Sequence, residues 1–191
     1  MRMMNKIRKK LSTGRGFSLG ELLAATIILL LASQVMAEGV TFAVRMYNES
    51  LTRSHARQLC STLTASIETE LRYATSITYD ESTGVLQTYF SPNYGQSQSS
   101  FLTIDSDEQE TASGEIAIKA TEQDQTVYRR LVSESSYSSF GLKAEIDAIQ
   151  YKRDENVFSV TLVILNKDNK KQAENTFQVI PVNTLVINQN S

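Results

Sequence analysis

The chain of 191 residues is sparing with the side chains that usually carry chemistry. It has one cysteine, Cys60, and one histidine, His55. Five positions apart on a helical stretch, the two are poorly placed as a nucleophile and its base. Cys60 therefore reads as a small packing residue, and His55 as a packed or half-exposed one. A single cysteine allows no intrachain disulfide, and one Cys with one His cannot make a zinc site within one chain. Asp105, Asp107 and Glu108 suggest calcium, but the EF-hand spacing fails. Glu110 stands where that loop needs glycine, and Ile116 where it needs a bidentate glutamate. The stretch reads as a solvated acidic loop, and Lys167, Lys170 and Lys171 as solvated charge on a turn. There is no phosphate-cradling glycine loop and no nucleophile elbow. No catalytic residue, metal site or cofactor is expected, and the chain does not read as an enzyme.

One carboxylate is set apart by its place. Six basic residues (Arg2, Lys6, Arg8, Lys9, Lys10, Arg15) and no acidic one precede Gly16, and residues 22–37 carry no charge. Between the two stands Glu21. A charge at the centre of a membrane-spanning helix costs about 2.5–3.5 kcal/mol even on the lenient insertion scale. Two things can hold a carboxylate at the head of such a helix: the positive end of the helix dipole, or a cationic partner.

The stretch Gly16-Phe17-Ser18-Leu19-Gly20-Glu21-Leu22-Leu23, after a short basic leader and before an apolar helix, resembles the processing site of type IV prepilins and type II secretion pseudopilins. Gly16, Phe17, Leu19, Glu21, Leu22 and Leu23 carry the match. Gly20 departs from it, since the family usually has a large aliphatic residue there, and a glycine weakens a helix by about 1 kcal/mol relative to alanine. The departure is compatible with a minor rather than a principal subunit. The resemblance implies cleavage between Gly16 and Phe17 by a prepilin peptidase, which also methylates the new amine of Phe17. It implies sibling pilins or pseudopilins, an assembly ATPase and its inner-membrane platform as partners. Glu21 would become the fifth residue of the mature chain, its carboxylate meeting the Phe17 ammonium of a neighbouring subunit. A buried ion pair roughly breaks even while a buried lone carboxylate does not, so such a pair sets register.

With the six leader basics removed, 13 basic and 21 acidic residues remain, a net charge of −8. That balance lacks the clustered lysine and arginine of a nucleic-acid footprint. The basic leader instead predicts an N-terminus held in the cytoplasm and a C-terminal part outside the membrane. Residues 17–37 approach the roughly 20 residues that cross a hydrocarbon core. A competitor is a general signal peptidase site at Val35-Met36-Ala37, where cleavage after Ala37 would give a secreted protein.

The elements follow from period. Val40, Val44, Tyr47, Leu51, Leu59, Leu63, Ile67, Leu71 and Ala74 recur at spacings of three and four, with His55 in the one gap. Arg45, Glu49, Arg53, Arg57, Glu68, Glu70 and Arg72 fall on the other face. One helix over residues 17–74 is predicted, roughly 90 Å long at about 1.5 Å per residue, with Gly20 and Gly39 as soft points. After residue 76 the pattern turns to strands: 85–90, 101–104, 116–119, 127–132, part of 140–151, 157–165 and 176–180. Polar loops are expected at 91–100, 105–114 and 133–139, a turn at 167–170, and a strand end at Pro181.

The expected fold is α+β: a long N-terminal helix packed on a C-terminal antiparallel β-sheet domain. The leader covers residues 1–16, the membrane-spanning or filament-core half of the helix 17–44, the amphipathic half 45–76, and a β-rich head 77–191. The function expected is that of a structural subunit, a minor pilin or pseudopilin. It would sit in membrane lipid before assembly and at the cell surface afterwards. The alternative is a membrane-anchored or secreted β-rich binding module. An uncharacterised hydrolase would need polar groups that only folding brings together.

Overall fold

The computed structural model describes residues 18–92, 98–122 and 125–188. The chain divides into two compact units, Met1–Asn48 and Glu49–Ser191. Helix α1, Leu19–Arg72, contributes to both. Phe17, where the helix was expected to begin, lies outside the described residues.

In the first unit, α1 starts on a capping box. The amide of Ser18 donates to Glu21 Oε2 at 3.0 Å, and the amide of Gly20 donates to Ser18 Oγ at 3.3 Å. The box satisfies donors that a helix start leaves without intrahelical partners. Every described residue from 18 to 50 is exposed, including Leu22, Ile28, Leu30 and Val35. Glycines 20 and 39 do not interrupt the helix.

In the second unit, the same helix buries a stripe. Ala56, Leu59, Cys60, Leu63, Ile67 and Leu71 are buried at helical spacing. They share one core cluster with strand residues, among them Ile77, Tyr89, Ile116, Phe158, Leu162 and Ile164. Burial of large aliphatic side chains stabilises by about 1.5–3 kcal/mol each, so this face is the main bond between helix and strands. Asn175 Nδ2 adds a polar link, donating to Thr64 Oγ1 at 3.1 Å.

Nine strands are described: β1 (Ser76–Tyr79), β2 (Leu86–Phe90), β3 (Ser99–Ile104), β4 (Glu115–Glu122), β5 (Gln125–Arg130), β6 (Leu142–Lys152), β7 (Val157–Asn166), β8 (Lys171–Val179) and β9 (Val186–Ile187). A four-residue helix, α2 (Ser135–Ser138), separates β5 from β6. They form two sheets, one six-stranded in the order β5-β4-β3-β2-β1-β9 and one three-stranded in the order β6-β7-β8. All pairings are antiparallel except β1 with β9, which is parallel. The α+β class and the long helix on an antiparallel-rich sheet domain stand as expected.

Main-chain bridges join the two sheets. The amide of Gly114 donates to the Ala144 carbonyl at 2.9 Å, and that of Ala144 donates to Gly114 at 2.7 Å. The amide of Tyr151 donates to the Gly84 carbonyl at 2.8 Å. At Gly114 the approach is so close that a Cβ would stand 2.2 Å from the Ile104 carbonyl oxygen.

Three differences from the expected elements have physical causes. Strand β1 was not foreseen, because Ser-Ile-Thr-Tyr is too short to show a period, yet Ile77 is fully buried. Strand β8 begins at Lys171 rather than 176, since its polar first half lies at a sheet edge with one neighbour. Strand β9 is held from a distance: the amides of Val186 and Asn188 donate to Thr75 and Ile77 carbonyls at 3.0 and 2.9 Å. Just before it, the amide of Val182 donates to Arg72 and the Asn183 carboxamide donates to Tyr73 and Ala74 carbonyls. The C-terminal segment thus caps the carbonyl end of α1.

Candidate functional site

The first unit presents a helix head with one carboxylate and an exposed apolar surface. Gly16 and Phe17, the expected cleavage and methylation positions, lie outside the described residues. Glu21 is described, and its carboxylate accepts the Ser18 amide through Oε2. Among the described residues its other oxygen has no partner, which leaves it an acceptor for a cation. The Ser-x-x-Glu signal for this cap was present in Ser18 and Glu21 and went unread behind the processing motif.

The hydroxyls below Glu21 are spent internally. Thr26 Oγ1 donates to the Leu23 carbonyl at 2.8 Å, Ser33 Oγ to Leu29 and Leu30 at 2.9 Å, and Thr41 Oγ1 to Ala37 at 2.9 Å. A polar group in hydrocarbon is costly unless it is hydrogen-bonded, so these bonds fit the segment to a water-free setting. Among the described residues one helix is long and apolar enough to cross a membrane, and it is α1.

Several ionisable groups of the second unit have structural partners. Cys60 is buried, and burial pushes its thiol up from the ordinary value. His55 is half-buried, with its ring stacked on Phe140 at a centroid distance of 3.7 Å. No hydrogen bond links it to Cys60. The acidic stretch 105–114 is pinned rather than merely solvated. Asp105 Oδ1 accepts the amides of Asp107 and Gln109, Arg130 clamps Glu108 at 3.0 Å and Glu115 at 2.6 Å, and Lys119 meets Glu110 at 2.9 Å. The Lys119 hydrogen bond holds the Glu110 carboxyl below its ordinary value. Among the described residues no three His, Cys, Asp or Glu side chains converge as metal ligands. At the basic turn, Lys171 pairs with Glu174 at 2.7 Å, and Asn166 Oδ1 accepts the amides of Asp168 and Lys170.

Tyr137 of α2 is buried, and its phenol oxygen accepts the Ile116 amide at 3.2 Å. Burial pushes this phenol up to about 12. Sequence reading missed Tyr137 and Arg130 because each acts across a long chain separation, on Ile116 and Glu115 respectively. No family model, curated protein or solved structure matches the chain.

Proposed function

We propose that this chain is a structural subunit of a type IV pilus-like or type II secretion-like filament, a minor pilin or pseudopilin. It enters the membrane as a prepilin, and a prepilin peptidase cleaves it after Gly16 and methylates Phe17. The apolar part of α1 holds it in the cytoplasmic membrane, with the N-terminus inside and the β-rich unit outside. An assembly ATPase and its membrane platform then move it into a filament of sibling subunits.

The observation that carries this reading is the exposed apolar helix that starts at Leu19, together with the sequence Gly16-Phe17-Ser18-Leu19-Gly20-Glu21 around its start. A soluble protein rarely leaves so large an apolar surface bare, and such patches mark membrane or protein contact. Lipid serves the need before assembly, and neighbouring helices serve it afterwards. Glu21 keeps one oxygen on its own helix start and offers the other to a cation. The methylated ammonium of a neighbour's Phe17 is the partner that removes its burial cost.

Glu21→Leu and Glu21→Gln test the role. Each should lower filament incorporation at least ten-fold while the membrane-bound level and the fold of the β-rich unit stay unchanged. Incorporation at the wild-type level in both variants would exclude a register-setting role for Glu21.

A further inference from the structure

The second unit holds a groove of about 330 Å³ between α1 and the segment around α2. This is close to the lower end of the range for small-molecule pockets. From α1 it takes His55, Gln58, Leu59 and Thr62, one face of the helix at spacings of three, one and three. From the other side it takes Val132, Ser135, Ser136, Ser139 and Phe140. We propose that this groove binds a neutral polyhydroxylated ring, a pyranose sugar.

The charge balance selects a neutral ligand. No Asp, Glu, Lys or Arg lines the groove, and its one titratable side chain is His55. The hydrogen-bond inventory selects a donor-rich ligand. Ser139 Oγ donates to the Ser135 carbonyl at 2.7 Å, and Thr62 Oγ1 donates to the Gln58 carbonyl at 3.0 Å. Ser135 and Ser136 share hydroxyl bonds with Ser133 at 3.1 and 3.2 Å. These hydroxyl oxygens keep lone pairs free, so they present acceptors to incoming O–H groups. The Gln58 carboxamide and the His55 ring nitrogens have no hydrogen-bond partner among the described residues, and they add both donor and acceptor capacity.

The apolar residues complete the match. Val132 and Phe140, both partly exposed, give a surface for the C–H face of a sugar ring, with buried Leu59 as the groove floor, and the His55 stack fixes the Phe140 ring in place. The walls are helix and turn, so they offer no strand edge to an extended peptide. The serine-rich stretch 133–139 and the lone histidine, two features the filament role leaves unused, are thereby given one task.

The test is a titration of the full ¹⁵N-labelled chain in phospholipid nanodiscs with glucose, galactose, N-acetylglucosamine and their β-linked disaccharides. Glycerol serves as a plain polyol and glucuronate as a charged ring. Saturable shifts of the Gln58, Ser135, Ser136 and Phe140 amides are expected for at least one neutral pyranose, with a Kd in the range of about 1 mM. Glycerol and glucuronate should give none. Gln58→Leu and Ser139→Ala should each weaken binding several-fold, up to about ten-fold for one lost hydrogen bond, and leave distant resonances unmoved. A disaccharide that binds tighter than its monomer assigns the site to a glycan chain, and equal affinity assigns it to a free sugar. The proposal is overturned if no sugar of the panel gives saturable shifts, if glycerol matches them, or if both variants bind like wild type.

Discussion

Replacing Gly114 by alanine adds one methyl group at the place where the two sheets meet. Its Cβ would stand 2.2 Å from the Ile104 carbonyl oxygen and 3.0 Å from the Ile104 carbonyl carbon. Both atoms are main chain, so no side-chain rotation relieves the contact and the backbone must shift. That shift breaks the paired bonds to Ala144, at 2.9 and 2.7 Å. Two lost hydrogen bonds cost about 2 kcal/mol, and forced displacement of packed backbone adds about 1–3 kcal/mol. The expected loss is about 3–5 kcal/mol, a large share of the 5–15 kcal/mol typical of a domain. The chain has eight tyrosines and no tryptophan, so urea unfolding in nanodiscs can be followed by tyrosine fluorescence and far-ultraviolet circular dichroism. Gly39→Ala is the matched control: apart from its chain neighbours and the adjoining helix backbone, no atom lies within 4 Å of its Cβ position, and it belongs to the other unit. It should leave the unfolding midpoint of the β-rich unit unchanged. The reasoning fails if Gly114→Ala unfolds within about 0.5 kcal/mol of wild type.

Other perturbations have equally definite outcomes. Asn183→Ala removes the carboxamide that donates to the Tyr73 and Ala74 carbonyls just beyond α1, and should cost about 0.5–2 kcal/mol and speed amide exchange in the last turn of α1. Arg130→Gln leaves Glu115, largely buried, without its cation, and should cost about 1–3 kcal/mol in urea and raise exchange through residues 105–114. Tyr137 has a phenol pKa pushed from 10.0 to about 12. The unfolded chain therefore releases this proton first, so its contribution is whole below about pH 10 and is lost as pH rises towards about 12, by up to about 3 kcal/mol. Urea midpoints measured across that window should fall, and Tyr137→Phe should flatten the fall while lowering stability by leaving the Ile116 amide unpaired.

Local pattern carried the helix and the long strands. The stripe from Leu59 to Leu71 named the buried face of α1, because helical spacing and burial share one cause. The apolar run of residues 157–165 likewise exposed β7, in which Phe158, Val160, Leu162 and Ile164 are buried. Patterns of two to four residues carry a weak signal: strands at 101–104 and 116–119 were legible, while β1 and β9 were not. Their pairing is a tertiary event: the amides of Val186 and Asn188 donate to the Thr75 and Ile77 carbonyls, while the Val182 amide meets the Arg72 carbonyl at the end of α1. The same limit hid the clamp of Arg130 on Glu108 and Glu115, since charge sequence alone cannot tell a paired loop from a solvated one. At the helix head the residues were legible and the geometry only partly so. The processing motif singled out Glu21, while its bond to the Ser18 amide followed from a capping signal in the same residues.

The most direct test of the filament account is the intact mass and N-terminal sequence of the membrane-associated protein from its own host. The account predicts a chain that starts at Phe17 and carries one extra methyl group on its amine. A chain starting at Glu38 would contradict it by removing Glu21 altogether, and one still starting at Met1 would contradict it and leave Glu21 as a helix cap alone.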